Sequence, residues 1–169
     1  MRVLFLDFDG VINSERWLLS RRGAMGRAGP FDPVPVRLVN QVAVQAGAHI
    51  VVSSHWRVEK SVGELRSILE RLGMTAPLID ATPVYTEDPL DGLARAREIQ
   101  AWLDGVCRPE GPSGTVDSFA ILDDIETLGH LEPRRVRTTH LRGFTRDLMP
   151  KVSALLAEGT VGVRARGRE

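Results

Sequence analysis

Asp7 and Asp9 stand one residue apart in Leu6-Asp7-Phe8-Asp9-Gly10-Val11, and Asp123 and Asp124 stand side by side at the end of Phe119-Ala120-Ile121-Leu122-Asp123-Asp124. If both sets reach the same edge of one sheet, their mutual repulsion calls for a cation. Mg²⁺ suits such a place, because it takes octahedral oxygen ligands and keeps waters and a substrate phosphate, so that a few carboxylates and one carbonyl suffice; calcium loops and zinc sites use other spacings. A third cluster, Val52-Ser53-Ser54-His55-Trp56-Arg57, places Ser53, with Ser54 beside it, where a hydroxyl can donate to a phosphoryl oxygen. Each cluster alone has a plainer reading. An Asp-rich turn after a strand is equally an Asx turn or a helix cap, and a serine there is equally an N-cap. The spacing of the three clusters along the chain is what favours one shared site.

The elements that must position these groups are four apolar runs: Val3 to Leu6, Ile50 to Val52, Leu78 to Ile79 and Phe119 to Leu122. Their lengths and β-branched content predict strands buried on both faces. Between them the 3.6-residue period predicts three helices. One carries Val36, Val39, Val42, Ala43 and Ala46 and ends at Gly47; the next carries Val62, Leu65, Ile68, Leu69 and Leu72 and ends at Gly73; the third carries Leu93, Ala96, Ile99 and Leu103 and stops before Gly105. Alternating strands and helices predict right-handed crossovers and a three-layer, Rossmann-like α/β sandwich with a mostly parallel central sheet. Ligands of such sheets sit beyond the carboxyl ends of the strands. The four runs end in Asp7, Ser53, Asp80 and Asp123.

With 169 residues, 43% of them apolar, the chain suits one core, and residues 1 to 160 are expected to form a single domain. Residues 13 to 32 read as a flap or loop, residues 108 to 118 as a Gly- and Pro-rich surface loop, and residues 161 to 169 as a frayed basic tail. The 22 basic and 22 acidic side chains cancel, so any contact with a polyanion has to be local. One cysteine, Cys107, precludes an internal disulfide framework and is compatible with a reducing cytoplasm. The first apolar run is too short and too soon charged for a signal peptide or membrane span, so a soluble, cytoplasmic protein with no membrane partner is expected.

Asp-x-Asp-Gly after the first strand, Ser after a middle strand, a basic residue before a late helix and Asp-Asp after a later strand together resemble the haloacid dehalogenase-like (HAD) hydrolase superfamily, over most of the chain. Within it, Phe5 to Asn13, Val52 to Arg57, Glu98 to Leu103 and Ile121 to Asp124 look like the small domain type found in bacterial RNA-repair proteins. The resemblance implies that Asp7 is a nucleophile forming an aspartyl-phosphate, and that Asp9 protonates the leaving oxygen and then activates water. It also implies that Asp7, Asp123 and the Asp9 carbonyl hold Mg²⁺, with Asp124 either touching the ion or one layer behind, and the ion screens an anionic nucleophile from an anionic substrate. Ser53 then positions the phosphoryl group.

The superfamily usually adds a lysine, but the sequence has none between Lys60 and Lys151. Arg95 is the expected replacement and Arg97 the runner-up, either of which could instead lie on the solvent face of its helix. Arg57 either clamps phosphate bidentately or pairs with a structural carboxylate. Trp56 and Trp102 read as core or pocket wall, and His49, His55, His130 and His140 show no paired metal-ligand spacing. Cys107 has Ser113 where a cysteine-dependent phosphatase closes its loop with arginine, and so reads as a small apolar residue.

Neither gap between the clusters has room for the folded cap that many relatives carry. An open site suits a phosphate on a large molecule, and the cluster Arg134, Arg135, Arg137, Arg142 and Arg146 adds a local basic surface; the expected partner is therefore a phosphorylated substrate, such as a nucleic-acid end. Against this stand the neutral total charge and the few aromatics. Alternatives are a phosphatase of small metabolites or nucleotides, a receiver-like phosphoacceptor, and a non-catalytic binding domain. Receivers place the adjacent acids after the first strand, whereas here they come late.

Overall fold

The computed structural model describes residues 1–20, 31–85, 91–105 and 115–159. Five strands form one sheet: β1 (Arg2–Leu6), β2 (Ala48–Val52), β3 (Leu78–Ala81), β4 (Ser118–Asp123) and β5 (Arg135–Arg137). Their order is β3-β2-β1-β4-β5 and every pairing is parallel. The chain moves outward from β1 to β3, then returns to lay β4 on the other side of β1. The strand order therefore reverses between β1 and β4, the kind of crevice where open α/β sheets take ligands.

Helix α1 (Glu15–Leu18) follows β1, and α2 (Pro33–Ala46) leads into β2. Next come α3 (Val62–Arg71) between β2 and β3, α4 (Gly92–Leu103) between β3 and β4, and α5 (Met149–Ala157) at the end. The helix stops are chemically ordinary: α2 starts at Asp32, whose carboxylate accepts from the Val34 amide, and ends at Gly47 in the left-handed region. The expected α/β sandwich is present as a small domain, its sheet wholly parallel, and the described residues form no cap.

Strand parity divides the core. Leu4, Leu6, Ile50, Val52, Ala120 and Leu122 face α2, α3 and α5 in one layer. Val3, Phe5, Val51, Phe119 and Ile121 face α4 in the other, where Phe5 meets Trp102 and Phe119 edge-on. Trp102 is core, as expected, and its indole donates to Asp80 at 2.7 Å. Sequence patterning assigns no element after β4. The structure adds β5, an Arg-Val-Arg edge strand too short to show alternation, and α5, which buries only Val152 and Leu156. Residues 15–18 of the expected flap are helical; 21–30, most of the expected loop at 108–118, Cys107 and the tail from 160 onward lie outside the described residues. No helix among the described residues is long and apolar enough to cross a membrane.

Candidate active site

Leu6 pairs with Val52 on one side and with Leu122 on the other. One residue further along, Asp7, Ser53 and Asp123 therefore stand level on three neighbouring strands, about 5 Å apart by strand spacing. Parity points all three to the face covered by α4. The two outer strands hold this row to β1, with Asp7 N–H donating to Leu122 O and Ser53 N–H to Leu6 O, both at 3.0 Å.

Carboxylate oxygens of Asp7, Asp123 and Asp124 lie within 4.8 Å of one another. Asp7 and Asp123 are 6% and 1% exposed, and Asp124 is partly open to solvent. Burial is the main reason that all three are harder to ionise than a free aspartate, Asp7 being pushed up to about 7, with the neighbouring Asp123 charge adding to the effect. Such a crowded acidic donor set fits a hard divalent cation. Gly10 makes the approach of Asp124 possible: at φ +68°, a Cβ there would lie 1.9 Å from Asp124 Oδ2. Thr138 Oγ1 donates to Gly10 O at 2.7 Å and fixes the turn.

Arg95, 5% exposed, reaches down from α4 between two of these acids, with Nη1 at 2.8 Å from Asp123 Oδ2 and 3.3 Å from Asp7 Oδ1. Arg97 lies on the exposed side of the same helix. Geometry thus separates the two arginines that spacing alone leaves in competition.

Ser53 Oγ and Thr82 Oγ1 are buried and have no hydrogen-bond partner among the described residues. The Ser54 hydroxyl is close enough to Asp7 to favour its ionised form, yet makes no hydrogen bond of ordinary geometry. Orphaned hydroxyls are costly in a protein interior, and these lie just past the ends of β2 and β3 on the Ser53 side of Asp7, where an oxyanion's acceptor oxygens would satisfy them.

Of the two uses open to Arg57, the structure shows the pairing with a structural carboxylate. Its Nε donates to Thr82 O, Nη1 to Ser53 O and Ser54 O, and Nη2 to Pro83 O and Glu98 Oε2. All five N–H groups are taken, so no donor is left for a phosphate clamp. Glu98 in turn accepts from Tyr85 N–H at 2.7 Å. Arg57 instead ties the loops after β2 and β3 to α4, one turn below Arg95.

Asp9 is exposed and lies off the acidic triad, its two carboxylate oxygens engaged separately. Trp56 Nε1 donates to Oδ2 at 2.9 Å and Asn13 Nδ2 to Oδ1 at 2.6 Å. The Trp56 ring rests against Phe31 and Phe8. Sequence reading gives Trp56 only a wall and Asn13 no role at all. His140, unremarkable by spacing, lies with Nδ1 3.3 Å from Asp124 Oδ2, and its distance along the chain from any other site residue leaves no signal. The arginine cluster divides: Arg134 is spent on Phe119 O and Leu155 O, and Arg135 on Ile125 O and Glu132.

Residues 3–149 match the family described as the HAD domain in Swiss Army Knife RNA repair proteins. No curated protein and no solved structure matches the chain.

Proposed function

The chain belongs to the HAD domains of Swiss Army Knife RNA repair proteins, and from that premise we propose that it is a Mg²⁺-dependent phosphatase acting on an exposed phosphate of a large substrate, such as a polynucleotide end. The observation that carries this reading is the convergence of Asp7, Asp123 and Asp124 within 4.8 Å, with the Arg95 guanidinium bridging the first two.

Asp7, Asp123 and Asp124, with the Asp9 carbonyl, are the groups that would hold Mg²⁺. Bound there, the ion supplies screening between anionic nucleophile and anionic phosphate and stabilises charge on the equatorial oxygens. An Asp7 carboxylate oxygen attacks phosphorus, and the bond to the leaving oxygen breaks. Asp9 gives that oxygen its proton, then takes a proton from the water that attacks the aspartyl-phosphate, releasing inorganic phosphate and restoring Asp7. Trp56 and Asn13 keep the Asp9 carboxylate aimed during both transfers. Ser53 and Ser54 donate to the phosphoryl oxygens, while Arg95 neutralises the charge left over. Arg57 and Glu98 act only by holding α4, and with it Arg95, in register.

A large substrate is favoured because the described residues form no cap over the site. The test is a screen of end-phosphorylated oligonucleotides, nucleotides, sugar phosphates and phosphopeptides with Mg²⁺, wild type beside Asp7→Asn. Fastest release from oligonucleotide ends, lost in the variant, is expected. Much faster release from sugar phosphates would move the reading to a small-metabolite phosphatase.

A further inference from the structure

Next to the acidic triad the structure holds a second feature that the chemistry above does not use. The segment 139–144 is zipped against the segment that follows Gly10: Glu15 N–H donates to His140 O, Arg16 N–H to Leu141 O, and Phe144 N–H to Val11 O. Gly143 permits this closeness, since a Cβ there would come within 2.6 Å of Val11 O. One side of this joint belongs to the active site, through Asn13 on Asp9 and His140 on Asp124. The other side opens into a cavity of about 600 Å³ whose walls include Arg16, Trp17, Arg142, Arg146 and Asp32. That volume lies in the range of pockets that take a molecule of nucleotide size.

Three arginines around one cavity need an explanation. All three are exposed, and none has a carboxylate partner within salt-bridge distance among the described residues. Asp32 is occupied in capping α2. The Trp17 indole N–H is shielded from solvent and has no acceptor among the described residues. Guanidinium groups around an open cavity are complementary to an anion with several acceptor oxygens. In a chain with no net charge, this concentrates positive charge beside the joint that borders the reacting centre.

We infer that this cavity is a subsite for the single-stranded polynucleotide that leads to the reacting end phosphate, with an internal phosphodiester held by Arg16, Arg142 and Arg146. The inference rests on the polynucleotide-end reading and adds the path of the strand: out of the site past His140 and over the joint into the cavity. A phosphodiester is the fitting occupant because it recurs along the strand and offers guanidinium groups an anionic pair of acceptor oxygens.

The test uses the full chain with a fluorescein-labelled hexauridylate lacking an end phosphate, followed by anisotropy across a range of salt. Arg142→Ala/Arg146→Ala is expected to weaken binding by about tenfold or more. It should also flatten the slope of log affinity against log salt by about 0.7 for each phosphate that is no longer neutralised. Trp17→Phe, which keeps an aromatic ring on the wall and removes only a donor shielded from solvent, should leave affinity and slope near those of wild type. Turnover of p-nitrophenyl phosphate, too small to reach the cavity, should stay within about twofold of wild type in all of them. Unchanged affinity and slope in the arginine variant overturn the subsite, even if wild type prefers oligonucleotide ends. A phosphopeptide that depends on Arg142 and Arg146 while the oligonucleotide does not also overturns it. Arginine-dependent binding of hexauridylate without any release of end phosphates would instead sink the phosphatase reading and leave the subsite standing.

Discussion

Asp9 shows how much of a site depends on residues that carry no chemistry of their own. Its carboxylate is held at both oxygens, by an indole and by an amide, so loss of either donor should cost rate without unfolding the chain. Asp9→Asn is expected to lower kcat on an oligonucleotide end by about 10² to 10⁴, the usual worth of a general acid. Trp56→Phe should lower it by about tenfold, roughly the worth of one hydrogen bond to a charged group. Both losses should shrink with p-nitrophenyl phosphate, whose leaving group needs little protonation; equal losses on both substrates would assign Trp56 a general structural part instead. The aspartates themselves are legible in the sequence because they terminate apolar runs. Trp56 and Asn13 are not, because an indole four residues past a strand and an amide in a turn have commoner uses, and only the fold brings them to one carboxylate.

The elements explain why the acids meet. Parallel register sets Asp7, Ser53 and Asp123 in one row, and the expected alternation of strands and helices is enough to place them at one sheet edge. What patterning does not decide is the strand order, and so which strand ends touch. Nor does it decide which arginine of α4 turns inward, since Arg95 and Arg97 differ by two positions and only packing of Ala96, Ile99 and Trp102 fixes the helix rotation. The Arg57 and Glu98 pair secures that rotation, with side chains 4% and 2% exposed. Arg57→Ala strands a buried carboxylate and should destabilise the fold by about 3–5 kcal/mol, measured by urea denaturation. A loss below about 1 kcal/mol, in the range of surface pairs, would show that the pair does not hold α4. Gly10→Ala should remove Mg²⁺ affinity by pushing Asp124 aside, with little effect on the helices.

At the scale of the whole molecule, the triad stores a conflict that a bound cation would relieve. The unfolded chain releases the Asp7 proton near 3.8, whereas the folded, metal-free protein keeps it until about 7. The folded state therefore binds more protons across that window, and metal-free stability falls as pH rises through it. Mg²⁺ needs the ionised carboxylates, so its stabilising effect runs the other way. The rise in Tm on adding Mg²⁺ to chelator-treated protein should be large at pH 8 and small at pH 5.5. An equal rise at both would place the ion elsewhere. The equal totals of basic and acidic side chains do not reveal the local field near the site, because Arg16 is remote in sequence from Arg142 and Arg146 and comes to line one cavity with them only when 139–144 packs on 11–16.

Phosphoenzyme trapping tests the nucleophile most directly. An oligonucleotide carrying a radiolabelled end phosphate, mixed with Mg²⁺ and wild-type protein and quenched in acid, should leave label on the peptide containing Asp7, removable by hydroxylamine as an acyl phosphate is. Asp7→Asn should carry none and turn over nothing. Label on another residue, or turnover by Asp7→Asn at a rate near that of wild type, would contradict the account.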